Sequence, residues 1–223
     1  MRFPIPSWLR QRDPFADLDP QGPEGVAFRG HRNYVGGLWD EIGQLQFDFL
    51  CAQGLKPEDV LLDIACGALR LGVKAIPYLQ PGHYLGVEKE QSLLDAGLNQ
   101  ELDPALLASH RPRLLCNDGF EFEQLATMVD LAIAQSLFTH LPPALIELCL
   151  NKLKPWLKGD GVFFATFFEA DQPRDNPDQP HDHGYFAYTK EEIIGFGERC
   201  GYQVSYLGDW NHPRSQVMVA YRV

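Results

Sequence analysis

The sequence predicts an α/β fold: a doubly wound, mostly parallel sheet of seven strands with an antiparallel C-terminal hairpin. Three observations carry this. Short apolar runs that end on a polar residue alternate with stretches of helical period, the signature of βαβ units feeding a parallel sheet. The first run, Val60-Leu61-Leu62-Asp63-Ile64, leads through the small residues Ala65-Cys66-Gly67-Ala68 toward a helical pattern. The last two apolar runs are joined by a short polar turn, which calls for antiparallel pairing.

Residues 1 to 37 read as an irregular arm rich in Pro, Gly, Asp and Arg. Phe3, Ile5, Trp8, Leu9, Phe15 and Leu18 make it too apolar for a freely solvated tail, so it is expected to fold over the domain. From residue 38 to 223 the chain reads as a single domain. Leu38, Ile42, Leu45 and Phe49 recur at helical spacing, and Gly54 and Pro57 stop that helix. Strands are expected at about 60–64, 84–88, 113–116, 130–134, 162–168, 203–207 and 216–222. Helices are expected at about 69–79, 91–101, 104–109, 143–154 and 190–200. Pro142-Pro143 suits the first turn of one of them. Thr189 with Glu192 forms the capping-box pattern of the last, and Gly159-Asp160-Gly161 reads as a turn before a strand. Residues 169–188 form a polar insertion with three prolines, five acids and two histidines.

Composition narrows the function classes. The formal charge of −11 over 223 residues, with no Lys/Arg cluster, disfavours a nucleic-acid partner, which calls for a basic face. No apolar run approaches the roughly 20 residues that span a bilayer, and the N-terminal stretch with Pro4, Pro6, Asp13 and Pro14 is unlike a signal peptide. A cytoplasmic location without membrane contact is expected. The five cysteines are scattered without a Cys-x-x-Cys pair, which argues against a disulfide framework and a zinc knot alike. Cys66, in the turn after the first strand, reads as a small packing residue. His181-x-His183 stands on a proline-rich loop with no third ligand in view, so no metal is expected.

Three strand ends converge on one crevice: Asp63 with its small-residue turn, Glu88, and Asn117-Asp118. Ligands of open α/β sheets bind at such carboxyl ends. An acid about 20 residues beyond a tight turn can accept ribose hydroxyls, and a third acid can accept an adenine amine. A dinucleotide enzyme would carry Gly-x-Gly-x-x-Gly to receive a pyrophosphate. The turn here lacks it, and Asp63 would repel such a ligand, which disfavours NAD.

With those residues in place, the chain resembles the class I S-adenosylmethionine (SAM)-dependent methyltransferases, whose fold is Rossmann-like. Leu62-Asp63-Ile64-Ala65-Cys66-Gly67 resembles their first motif, Leu85-Gly86-Val87-Glu88 the second, and Asn117-Asp118-Gly119 the third. Asp130-Leu131-Ala132-Ile133-Ala134-Gln135 with the following Ser136-Leu137-Phe138-Thr139-His140-Leu141 resembles the fourth-strand motif. Ala65 and Leu69 stand where the family usually has the outer two glycines of acid-x-Gly-x-Gly-x-Gly. Ala65 adds only a methyl there if its φ stays negative. Leu69 is expected to start the helix early, placing Arg70 in its first turn.

The resemblance implies a methyltransferase that uses SAM as cofactor and a small-molecule acceptor, with transfer to oxygen or nitrogen. It implies that Asp63 holds the methionine amino end, that Ala65, Cys66 and Gly67 give backbone contacts, and that Arg70 pairs with the methionine carboxylate. Glu88, with Lys89 beside it, would take the ribose. Asn117, Asp118 and Gly119 would take the adenine, and Gln135 would offer a carbonyl to the amino group. His140 is the candidate catalytic base. Phe168, Tyr185 and Tyr188, with Phe186, are the candidate acceptor contacts of the insertion, and Arg214 of the hairpin turn would meet an acidic acceptor or a partner chain. A second reading is a SAM-binding protein without turnover that supports a partner.

Overall fold

The computed structural model describes residues 20–223. The apolar arm residues Phe3, Ile5, Trp8, Leu9, Phe15 and Leu18 lie outside them. In chain order the described elements are α1 (Gly22–Arg29), α2 (His31–Tyr34), α3 (Trp39–Ala52), β1 (Leu61–Ile64), α4 (Gly72–Ala75), β2 (Tyr84–Glu88) and α5 (Gln91–Ala96), which runs on as a π turn over Gly97–Glu101. Then follow α6 (Pro104–His110), β3 (Arg113–Cys116), β4 (Val129–Ala134), α7 (Pro143–Leu153), β5 (Leu157–Glu169), β6 (Ala187–Tyr188), α8 (Lys190–Arg199), β7 (Gln203–Asp209) and β8 (Gln216–Arg222).

The sheet order is β3-β2-β1-β4-β5-β8-β7, with β6 paired to β5 beside this path. β1 to β5 run parallel, and β8 lies antiparallel between β5 and β7. This is the doubly wound arrangement with its terminal hairpin. The order reverses between β1 and β4, so the carboxyl ends of these two strands flank the switch point where such sheets take ligands. Because β8 is antiparallel, its first residue, Gln216, registers with Phe168 at the end of β5 and so lies at that same edge.

Strand alternation sorts the core onto two faces. Leu62, Ile64, Val87, Phe163, Phe167 and Tyr221 pack with Ile146 and Leu150 of α7 and Phe196 of α8. Leu61, Ile133, Phe164 and Met218 pack on the other face with Leu50 of α3 and Ala75 of α4. The Thr189–Glu192 capping box opens α8 as the pattern requires, with both reciprocal hydrogen bonds formed.

Four local expectations are corrected. Residues 22–34 of the arm are helical rather than irregular, because Val26 and Tyr34 find a buried seat with Ala68, Leu93 and Ala96. The helix expected over 69–79 is only one α turn, Gly72–Ala75. Leu69 has φ 67 and so does not begin it. Gly159-Asp160-Gly161 continues β5, with a register shift opposite Val129 and Leu131 in place of the expected turn. The insertion returns through a two-residue strand, β6.

Candidate active site

The strand ends line a cavity of about 780 Å³. Asp63, Ala65, Cys66, Gly67 and Arg70 line it after β1, Glu88 and Lys89 after β2, and Asn117 and Asp118 after β3. Gln135, Ser136 and His140 line it after β4, Phe168 at the end of β5, and Arg214 and Gln216 at the start of β8. Helix α3 contributes Gln46, and the arm contributes Arg29 and Asn33 to Gly37. The single turn after β1 and the residues three strands away thus meet through topology alone.

The first loop departs from its expected path. Ala65 has φ 58, Gly67 φ 56 and Leu69 φ 67, so the backbone goes left-handed at the three alternate positions, although only the middle one is glycine. An L residue in that region costs roughly 1–2 kcal/mol. Leu69 is held there by full burial in the core. The loop's direction keeps the Gly67 N–H aimed at Glu88, whose Oε2 accepts it at 2.9 Å. Arg70 consequently precedes the helix, and its guanidinium turns across the cavity wall.

Asp63 is buried and accepts a 2.7 Å hydrogen bond from the Tyr84 hydroxyl. Burial raises its carboxyl to about 7, against the lowering influence of Tyr84 and of Arg70. Glu88 is also buried and is pushed upward by it. Its Oε1 accepts from the Lys89 and Glu90 backbone N–H groups at 2.9 and 3.0 Å. With only Gly67 on Oε2, Glu88 keeps acceptor capacity.

Arg70 donates to the carbonyls of Val35 and Gly37 at 3.2 and 3.1 Å and to Gln135 Oε1 at 2.6 Å. Burial and the nearby Arg214 lower it to about 10, so it stays charged at neutral pH. Two of its five donors remain. Gln135 Nε2 in turn reaches Ser136 Oγ at 2.6 Å, His212 Nε2 at 3.1 Å and Gln216 Oε1 at 3.3 Å.

Among the described residues, two cavity-lining side chains carry buried polar atoms with no hydrogen-bond partner: Gln46 Oε1 and Asn117 Nδ2. A buried polar group left unmet costs about 1–3 kcal/mol. Here an acceptor and a donor wait on one cavity, which is what a polar ligand filling it would satisfy. Gln46 is the residue that sequence reasoning missed as a ligand group: it sits on an ordinary amphipathic helix, and only a polar residue on that helix's buried face could have drawn attention to it.

His140 lies at the cavity wall beneath the insertion. Its Nδ1 donates to the Gly184 carbonyl at 2.6 Å. A carbonyl cannot donate, so the proton sits on Nδ1 and the lone pair on Nε2. Burial lowers the ring to about 4, and the imidazole is neutral at physiological pH.

The insertion is stitched to the site on both sides. The His181 and Phe186 N–H groups donate to the His140 and Thr139 carbonyls at 3.2 and 3.0 Å. Across the cavity, the Asp182 carboxylate accepts from Lys89 Nζ and from the Tyr34 hydroxyl, while its N–H donates to Gln21 Oε1 at 3.0 Å. Burial alone would raise Asp182, but the hydrogen bonds from Lys89 and Tyr34 hold it below the usual carboxylate range.

Four candidates fall outside the cavity lining. Gly119 does not line the cavity, although its neighbours Asp118 and Phe120 do. Tyr185 is 53% exposed and stacks on Phe168 with centroids 4.4 Å apart. Tyr188 is a core residue: it is fully buried, packs on Phe167 and Phe196, and donates to the Leu141 carbonyl at 2.6 Å. Phe186 is likewise fully buried in the core. Both are drawn inward because β6 pairs with β5 and turns the end of the insertion into the sheet. Among the described residues no group of three or more His, Cys, Asp or Glu side chains gathers into a metal site, and no helix is long and apolar enough to cross a membrane.

No sequence-family model matches the chain. Its architecture does have relatives among solved structures. It is similar to magnesium protoporphyrin IX methyltransferase from Synechocystis with bound SAM, at 15% identity and TM-score 0.64, over 89% of this chain and 92% of that one. It is similar to a SAM-dependent methyltransferase from Clostridium acetobutylicum at 14% identity and TM-score 0.63, over 89% and 97%. A glycopeptide N-methyltransferase complexed with SAM aligns at 13% identity and TM-score 0.62, over 81% and 94%. With a parallel five-strand block, a reversed eighth strand and a ligand-sized cavity at the switch point, the chain has the fold of the class I SAM-dependent methyltransferases.

Proposed function

We propose that the protein transfers a methyl group from SAM to an oxygen or nitrogen of a small-molecule acceptor. The observation that carries this is the cavity itself: Asp63, Glu88 and Asp118 end three neighbouring strands on it, and Gln46 Oε1 and Asn117 Nδ2 lie buried and unmet in its wall. Acids alone would suit several cationic ligands. Their order along the sheet suits an amino acid, a ribose and an adenine in that sequence, and neighbours of the same fold are described with SAM bound.

In this reading Asp63 and Gln46 accept from the ammonium group, and Arg70 turns its two remaining donors to the carboxylate. The Ala65-Cys66-Gly67 backbone lies along the same end, close enough because its side chains are small. Glu88 accepts from the ribose hydroxyls, Lys89 covers that edge, and Asp118 with Asn117 meets the adenine. SAM, when bound, supplies an electrophilic methyl on a sulfonium. The chain's main contribution is to hold the acceptor in line, since alignment supplies most of the rate in such transfers. His140 Nε2 accepts the hydrogen of the acceptor's O–H or N–H and keeps that proton as the acceptor atom becomes acidic. A weak base is sufficient for that task, and it stays unprotonated down to about pH 4. Phe168 packs against the acceptor.

The test is an incubation with SAM and a broad mixture of small phenols, acids and amines, read by mass spectrometry for a methylated product and S-adenosylhomocysteine (SAH). A product whose kcat falls at least about tenfold in His140→Ala, with SAM affinity kept, is the expected result. SAM binding without any methylated product contradicts turnover and leaves the non-catalytic binder.

A further inference from the structure

Ser136 is placed where a hydroxyl has only one thing left to do. It lies two residues beyond the end of β4 with φ 61, a left-handed conformation that a non-glycine residue keeps only under constraint. The constraint is visible: its N–H donates to Thr166 Oγ1 and its carbonyl accepts from Thr139 Oγ1, both at 2.7 Å. Its Oγ accepts from Gln135 Nε2 at 2.6 Å and from Gln216 Nε2 at 2.7 Å.

The direction of these bonds is set by Arg70. A guanidinium only donates, so the Gln135 atom 2.6 Å from it is the amide oxygen. The Gln135 nitrogen then faces Ser136, Gln216 Oε1 and His212 Nε2. His212 accepts the Arg214 N–H on Nδ1 at 3.2 Å, so its Nε2 carries the ring proton and the two amide hydrogens go to Ser136 and Gln216. With that oxygen turned toward Gln135, the Gln216 nitrogen also faces Ser136. Both lone pairs of Ser136 Oγ are therefore occupied, and its hydrogen must donate. Among the described residues nothing accepts it, and Ser136 lines the cavity.

The second group is Arg214, two residues before Gln216. It lines the same cavity and donates to the Gly36 carbonyl. No carboxylate among the described residues pairs with it. The charge of the wall divides along the sheet. The lining acids Asp63, Glu88, Glu90 and Asp118 stand over β1, β2 and β3, and none stands on β4, β5 or β8. The acid of the insertion, Asp182, is matched by Lys89.

We propose that the Ser136 hydroxyl and the Arg214 guanidinium form a seat for a carboxylate on the acceptor molecule. The inference rests on the methyltransferase reading, which assigns the β1–β3 half of the cavity to the cofactor and leaves the β4–β8 half to the acceptor. A cation and a hydroxyl with only its hydrogen to offer, both lining one cavity whose β4, β5 and β8 ends carry no lining acid, select an anionic oxygen over a neutral amide.

The test uses the full chain saturated with SAH and three matched probe pairs: acetate and acetamide, benzoate and benzamide, phenylacetate and phenylacetamide. Binding is followed by ligand-observed NMR. At least one carboxylate is expected to bind about tenfold or more tighter than its amide. That preference should fall about tenfold in Arg214→Gln and about fivefold in Ser136→Ala, with SAH affinity within about twofold of the parent in both, which reports an intact fold. Equal binding within every pair, no carboxylate binding at all, or a preference that survives both substitutions overturns the seat. Failure of SAH to bind the parent protein overturns the methyltransferase reading and the seat with it, so the two failures are told apart by the SAH control.

Discussion

Asp63 shows how one side chain couples the site to pH. Its carboxyl rests at about 7 because it is buried, and the Tyr84 hydroxyl at 2.7 Å is the main influence holding it from going higher. Taking an ammonium group requires the carboxylate, which predominates above that value. Cofactor affinity should therefore weaken by up to tenfold for each pH unit below about 7 and level off above it. Tyr84→Phe removes the donor, so the midpoint should move to higher pH. Calorimetric titrations of SAH at a series of pH values measure this, and an unmoved midpoint would contradict the coupling. The same group has the opposite consequence for the empty protein. Its folded-state value lies above the unfolded one, so its contribution to stability is full at low pH and is lost as pH rises through about 7.

At this scale the sequence was most legible where chemistry and position coincide. Asp63, Glu88 and Asp118 each follow an apolar run, and an acid there has few structural reasons to exist. Ala65 and Leu69 were read for their residue type, which favours negative φ. The core seat of Leu69 overrides that preference, a tertiary effect no local pattern carries. Gln46 and Ser136 were unreadable as ligand groups for a related reason: one acquires its role from where α3 crosses the strand ends, the other from two glutamines that the fold brings to it from either side.

At the scale of elements, the insertion 169–188 acts as a strap over the cavity, tied to the 139–141 segment at one side and to the arm at the other. Asp182 is the tie to the arm, meeting Lys89 and Tyr34 at once. Asp182→Asn removes the charge that Lys89 needs. It is expected to speed SAH release by about tenfold and to make residues 170–184 more readily cut by protease, as stopped-flow release and limited proteolysis would record. An unchanged release rate would mean that the strap does not gate the ligand. The end of the insertion has a different task. Tyr188→Phe deletes one buried hydrogen bond and should cost about 1 kcal/mol of stability with no effect on acceptor KM; a raised KM with unchanged stability would return Tyr188 to the acceptor site. The sequence marked this segment by its prolines and acids, but β6 escaped notice because two residues carry no period, and Gly159-Asp160-Gly161 read as a turn because glycine in a bulged strand looks the same as glycine in a loop.

Over the whole molecule, the sheet organises everything that the site needs. The two packed faces hold β1 and β4 side by side with opposite onward directions, and the cavity is the gap that this reversal leaves. Phe163 is fully buried between β4, β8 and Phe138, so Phe163→Ala should cost about 3–5 kcal/mol. Thermal unfolding should record that loss as a lower Tm, and a change below about 1 kcal/mol would place the mechanical core elsewhere. The fold class was legible because the alternation of strand and helix runs through nearly the whole chain, and such long-range regularity survives local misreadings of a helix or a turn.

Calorimetry of the full chain with SAH decides whether the three strand-end acids enclose a SAM site. One site per chain is expected, with affinity falling about tenfold or more in Glu88→Gln because the substitution removes the charged acceptor offered to the ribose hydroxyls. No binding of SAH at millimolar concentration, or binding that Glu88→Gln leaves untouched, would contradict it.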